Sequence, residues 1–212
     1  LNNDLGKAQS RPKFKDIFST SDAVNRLSAA RFFLFAYRDT WFVVALPVYL
    51  SQSLYWTHWQ VGAFLATWVI GYGATQAIAP AITNRFPRAP ASTQLTTWSL
   101  ALALSPMLIA IGLSNDLDPT PTLVIGILLF GLLFAINSAL HSYLIVSYAR
   151  EDGVSMDVGF YYMANAAGRL AGTIFSGWVF QAYGLTQCLF LSALLLIVTS
   201  ILSMSLKEPQ RT

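Results

Sequence analysis

Arg38 and Arg169 each lie inside a long apolar run: "FFLFAYRDTWFVVALPVYL", which begins at Phe32, and "GFYYMANAAGRLAGTIFSGW", which begins at Gly159. A charged side chain at the centre of such a run costs about 2.5–3.5 kcal/mol on membrane-insertion scales, so these groups are expected to face a bundle interior or a watery cavity. A planar guanidinium matches phosphate-like groups bidentately. Two of them in one cavity, ringed by neutral donors, suit an anion with several oxygens. The neutral donors come from three runs. Tyr161, Asn165, Arg169, Gly172 and Ser176 recur three or four residues apart and share one helix face. "INSALHSYLIVSY" puts Asn137 and His141 on a common face with Ser138 nearby, and "VIGYGATQA" sets Tyr72, Thr75 and Gln76 among apolar neighbours. The candidate substrate-binding residues are therefore Arg38, Arg169, Asn165, Tyr161, Asn137, His141, Tyr72 and Gln76. Asp39 and His141 are deep titratable groups and candidates for carrying a coupling proton, whereas Asp157 lies near the membrane edge.

The same charges admit a plainer reading, a packing salt bridge in which Asp39 of one helix holds Arg169 of another. For His141 the plainer reading is a neutral, hydrogen-bonded interior residue. Arg38 and Asp39 are not expected to pair with each other, because adjacent helical residues point about 100° apart.

The elements that position these residues follow from composition. Of 212 residues, 55% are hydrophobic and 11% charged, and the mean hydropathy is +0.52, against about 45–50% apolar and about 25% charged in soluble domains. Six stretches approach the ~20 residues that cross a bilayer: 28–50, 60–82, 95–113, 121–148, 154–183 and 185–206. None alternates as a barrel strand does, so the expected fold is an all-α membrane protein, a six-transmembrane-helix bundle. Pro47, Pro80 and Pro106 mark kinks or helix ends. Residues 1–27 read as a cytoplasmic segment, 28–206 as the bundle and 207–212 as a tail. The leading segment carries "KAQSRPKFKDIF", either an amphipathic surface helix or a tethering loop, and "STSD" supplies helix N-cap candidates near Asp22. The chain starts with Leu1 and its first long apolar run begins only near Ser28, so no signal peptide is expected and the chain is expected to begin inside a longer protein.

Basic residues set the orientation. Lys7, Arg11, Lys13, Lys15, Arg26 and Arg31 precede or edge the first stretch; Arg85 and Arg88 follow the second, Arg150 the fourth, and Lys207 and Arg211 the last. All of these fall on one side, so both termini are expected in the cytoplasm. The net charge of +3 needs no nucleic-acid partner. Enzymatic motifs are missing: there is no G-x-S-x-G, P-loop or H-E-x-x-H, "GYGATQA" lacks the third glycine of a dinucleotide loop, and His58 and His141 are too far apart to suggest a metal site. No cofactor, no metal and no enzymatic activity are expected. The single cysteine, Cys188, reads as a packing residue.

Six spans with both ends inside, preceded by a basic segment, resemble the C-terminal half of a major facilitator superfamily transporter, in which two six-helix halves pack around a midplane site. The strings "LSAARFFLFAYRDTWFVVALPVYL", "HWQVGAFLATWVIGYGATQAIAP" and "NSALHSYLIVSYAREDGVSMDVGFYYMANAAGRLAGTIFSGWVFQAYG" resemble, more narrowly, the ArsJ-type organoarsenical efflux permeases of that superfamily. The resemblance implies export of 1-arseno-3-phosphoglycerate, formed when glyceraldehyde-3-phosphate dehydrogenase uses arsenate in place of phosphate, and hence arsenate resistance at a bacterial inner membrane. It also implies an N-terminal six-helix half as partner. Efflux of another organic anion or drug, or a membrane module without transport, are the competing readings. Of the superfamily's Gly-x-x-x-Asp-Arg loop signature, "AITNRFPR" keeps little beyond Arg85, which either gates or simply anchors the loop.

Overall fold

The computed structural model describes residues 21–83, 89–150 and 153–207. Seven helices follow in chain order: α1 (Asp22–Trp41), α2 (Ala45–Gln52), α3 (His58–Thr83), α4 (Ala91–Ser114), α5 (Pro119–Tyr148), α6 (Val154–Tyr183) and α7 (Leu185–Met204). Among the described residues there is no strand. α1 and α2 are two parts of one membrane stretch, so the seven helices make the six-span all-α bundle expected. Five stretches are long and apolar enough to cross a membrane. The sixth, α6, has 30 residues like α5 but dilutes its apolar run with Asp157, Arg169 and the polar stripe.

Local signals explain the boundaries. Ser21 caps α1 by accepting a hydrogen bond from the Val24 backbone (3.4 Å), and Asp118 caps α5 by accepting one from Thr120 (2.9 Å), with Pro119 in the first helical turn. α6 turns into α7 through Gly184, whose φ of 84° is a left-handed conformation that glycine adopts without strain. The first stretch departs from expectation twice. It begins at Asp22 rather than residue 28, drawing Arg26 and Arg31 into the helix, and it breaks at residues 42–44. Pro47 is the cause: it offers no N–H to the Val43 carbonyl, and its ring crowds that carbonyl. The helix restarts at Ala45, whose backbone N–H donates to Ser176 Oγ of α6 (3.0 Å).

α1 packs against α6 and α7, α4 against α7 and α5, and α3 against α5. Gly168 and Gly172 set the closest of these approaches. A Cβ on Gly168 would collide with the Phe32 carbonyl, and one on Gly172 with the Ala36 carbonyl and, at 3.0 Å, with Asp39 Cβ. Backbone therefore lies on backbone where α1 crosses α6, the role of a small-xxx-small pair in membranes. On the opposite flank, Trp68 donates to the Ile127 carbonyl (2.9 Å) and stacks on Tyr72 and Phe130, fastening α3 to α5. α3 is otherwise bare: 11% of its apolar window is buried within the chain, against 50–61% for the other four stretches. The leading segment up to residue 20 and the gating candidate Arg85 lie outside the described residues.

Candidate functional site

Asp39 stands near the C-terminal end of α1, one turn before the break, and is 1% exposed. Its two oxygens take different arginines. Arg38 Nε donates to Oδ1 (2.5 Å) and Arg169 Nε to Oδ2 (3.3 Å). The Arg169 contact exists because Gly172, three residues along α6, lets that helix lie directly on Asp39. The expectation that Arg38 and Asp39 point apart is corrected. Their Cα–Cβ bonds diverge, but the long arginine stem curls back, since a carboxylate in an apolar bundle gains more from a charged donor than the side chain loses in rotamer freedom.

The plainer salt-bridge reading thus holds for the contact itself, with one carboxylate serving two cations. The triad is charged overall, with formal charge +1, and is open on one side. The Arg38 side chain is 16% exposed and that of Arg169 56%. A cavity of about 370 Å³, lined by Pro47, Val48, Ser51, His58, Val61 and Gly62, lies between α2 and α3 and includes neither arginine.

The remaining candidates fall into two groups around this triad. Phe134 of α5 lies under Arg38 at 5.6 Å and beside Tyr72 at 5.6 Å, so Tyr72 reaches the triad through one ring, with Gln76 half-buried a turn further along α3. His141 and Tyr161 are fully buried and belong to a second centre, formed around Arg31. Arg31 is 5% exposed, and its Nη1 donates to the Ser138 carbonyl (3.2 Å) and hydroxyl (3.1 Å). Its guanidinium lies over Phe35 (4.2 Å) and Tyr161 (5.1 Å). Asn165 sits one turn from Tyr161 and one turn from Arg169 on α6, half-buried between the two centres. Asn137 is held toward α4, its amide donating to Ser99 (3.0 Å).

The sequence places Arg31 at the edge of the first stretch with the anchoring basic residues; the structure adds that its side chain is buried between α1, α5 and α6. Two signals were available. The capping serine at Ser21 starts the helix early enough to carry Arg31 about 14 Å along its axis. Arg31 and Arg38 are also seven residues apart and so share a helix face.

A family model described as Major Facilitator Superfamily matches residues 29–212. No sequence among the curated proteins compared matches the chain.

Proposed function

Because the chain belongs to the major facilitator superfamily of membrane transporters, we propose that it forms half of an efflux permease for an organic anion, with 1-arseno-3-phosphoglycerate as the cargo and arsenate resistance as the result. The observation that carries this reading is the Asp39 triad. Two guanidiniums from different helices converge on a single buried carboxylate beside a broken span, and one of them remains largely open. Discontinuous spans of this kind form midplane sites in several transporter folds. Asp39 is then an internal anion standing where a substrate oxyanion would bind. An arriving arsenate or phosphate group displaces it from Arg38 and Arg169 and makes bidentate bonds that the single Nε contacts do not. Protonation of Asp39 favours the same exchange, which is the way a coupling proton would act here, with His141 as the alternative carrier.

The open side of Arg169 and the bare face of α3 are assigned to an N-terminal six-helix half of the same transporter, which would close the chamber. On this reading the protein is multi-pass in a bacterial inner membrane with the termini of this segment cytoplasmic, and it depends on glyceraldehyde-3-phosphate dehydrogenase for its cargo. Arg85 is proposed to gate the cytoplasmic side.

Uptake of the labelled arseno compound into inverted vesicles carrying the full-length protein tests the proposal. Transport is expected in the parent, competed by 3-phosphoglycerate, and abolished in Arg38→Gln and Arg169→Gln variants that insert normally. Retained transport in both variants rejects the role of the arginines. Movement of a different organic anion in place of the arseno compound replaces the cargo but keeps the site, and no movement of any anion makes the chain a membrane module without transport.

A further inference from the structure

Among the described residues Arg31 is the most deeply buried arginine or lysine, and no carboxylate lies within ion-pair distance of it. Its Nη1 is held by Ser138, but Nε has no acceptor. His141 follows Ser138 by one turn of α5, within electrostatic range of Arg31, and both of its ring nitrogens are without a partner. Tyr161, whose ring lies 5.1 Å from the guanidinium, has a buried hydroxyl with the Ser142 side chain as a polar neighbour. Each of these groups can donate a hydrogen bond, and a guanidinium is never an acceptor. A cation with no carboxylate partner, held only by Ser138 and two ring faces, is a costly arrangement in an apolar bundle unless something brings oxygens and negative charge to it.

Its position relates it to the triad. Arg31 and Arg38 lie two turns apart on one face of α1, and both guanidinium carbons face the same ring, Phe35, at 4.2 and 4.7 Å. That keeps the two cations within about 9 Å of each other with a single aromatic spacer between them.

We propose that Arg31, His141 and Tyr161 form a second anion subsite, which receives the far oxyanionic group of a molecule whose near group binds Arg38 and Arg169. This rests on the anion-transport reading above and deepens it: Arg31, His141 and Tyr161 take the end of the cargo that the triad leaves unbound. Arg31 selects for the second group. A ligand with one oxyanion satisfies only the triad and leaves the Arg31 centre as it stands.

The test compares two small anions on the detergent-purified full-length protein by titration calorimetry. 3-Phosphoglycerate carries two anionic groups and glycerol 3-phosphate carries one. The parent is expected to prefer 3-phosphoglycerate by about ten-fold or more. Arg31→Gln is expected to erase that preference while glycerol 3-phosphate affinity changes by less than about three-fold, because its single group stays on the triad. A merely structural role for Arg31 would weaken both ligands together. If Arg31→Gln does not fold, His141→Gln and Tyr161→Phe give the same readout. A preference that survives in the folded variants, or is absent from the parent, overturns the subsite and leaves the triad reading standing; a parent that binds neither anion overturns both.

Discussion

Asp39 and Asp157 are equally buried, each 1% exposed, and each is answered by arginine, yet they are built differently. Asp157 lies in the first turn of α6 and takes three hydrogen bonds from one neighbour, from the backbone N–H, Nε and Nη2 of Arg150 at 3.1, 3.1 and 3.2 Å. Both carboxylate oxygens are engaged by one fork, and the positive end of the helix macrodipole favours the charge further. Asp39 instead takes one Nε from each of two arginines, one adjacent and one from a helix 130 residues on. The first arrangement is local and saturated, which suits a fixed joint between α5 and α6. The second is long-range, carries excess cation and leaves hydrogen-bonding capacity on both guanidiniums. Equal burial therefore separates from equal purpose: how completely a carboxylate is satisfied decides whether it can exchange its partners.

The harshest way to break this contrast is to push α6 off Asp39 without touching a charge. Gly172→Leu places a side chain where the Ala36 carbonyl and Asp39 Cβ already stand, whereas a Cβ at Gly177, on the same helix, meets nothing within 4 Å. Gly172→Leu should abolish transport and destabilise the protein by about 3 kcal/mol or more, at the upper end of overpacking costs. Gly177→Leu should stay within about 0.5 kcal/mol of the parent, because its Cβ meets open space. Thermal unfolding of the purified protein beside vesicle uptake measures both. Equal effects at the two glycines would mean that close approach of α1 and α6 does not hold the site.

Neutralising the two carboxylates separately sharpens the contrast. Asp157→Asn should cost about 2 kcal/mol of stability, the range of hydrogen bonds to charged groups, with transport per folded molecule unchanged. Asp39→Asn should do the reverse. It removes the internal competitor for Arg38 and Arg169, so the KM for the anion falls, turnover slows because nothing displaces the bound group, and the pH dependence of the parent rate flattens. Uptake kinetics across pH decide it: pH-independent rates in both parent and Asp39→Asn exclude the proton role, and a transport defect confined to Asp157→Asn inverts the assignment of joint and exchange site.

Much of the fold was legible because a bilayer enforces it. Runs near 20 residues with few charges have few alternatives to a helix, and stretches such as 121–148 and 154–183 coincide with α5 and α6 to within a turn. Arg38, Arg169 and the α6 stripe are legible for the same reason, since charge is conspicuous in such a background. Three things are not. The burial of Arg31 is not legible because its place along the helix depends on where α1 starts, and the start is set by a side-chain cap rather than by hydropathy. The Arg38 to Asp39 pair was dismissed from backbone directions alone, which fix where a side chain leaves the helix and not where a flexible arginine ends. Asn137 was grouped with His141 by spacing, and both lie on α5, but the lateral position of α4 sends the Asn137 amide to Ser99. Period and composition do not encode which neighbouring helix lies on which side.

The gentlest probe concerns the break beside the triad. Ser176 Oγ accepts from the Ala45 N–H where α2 restarts, and Ser176 is fully buried, so Ser176→Ala leaves that donor without a partner, at a cost of about 1 kcal/mol. In an unbroken helix the same N–H would donate to the Trp41 carbonyl four residues back, and Pro47→Ala removes the reason for the break. The two substitutions should therefore be non-additive: in a Pro47→Ala background, Ser176→Ala should cost close to nothing. The single Ser176→Ala change should lower transport only modestly, because Asp39 precedes the break and keeps its place on α1. If the cycle is instead additive, Ser176 does not stabilise the interrupted span, and the geometry of Asp39 owes nothing to the α6 hydroxyl.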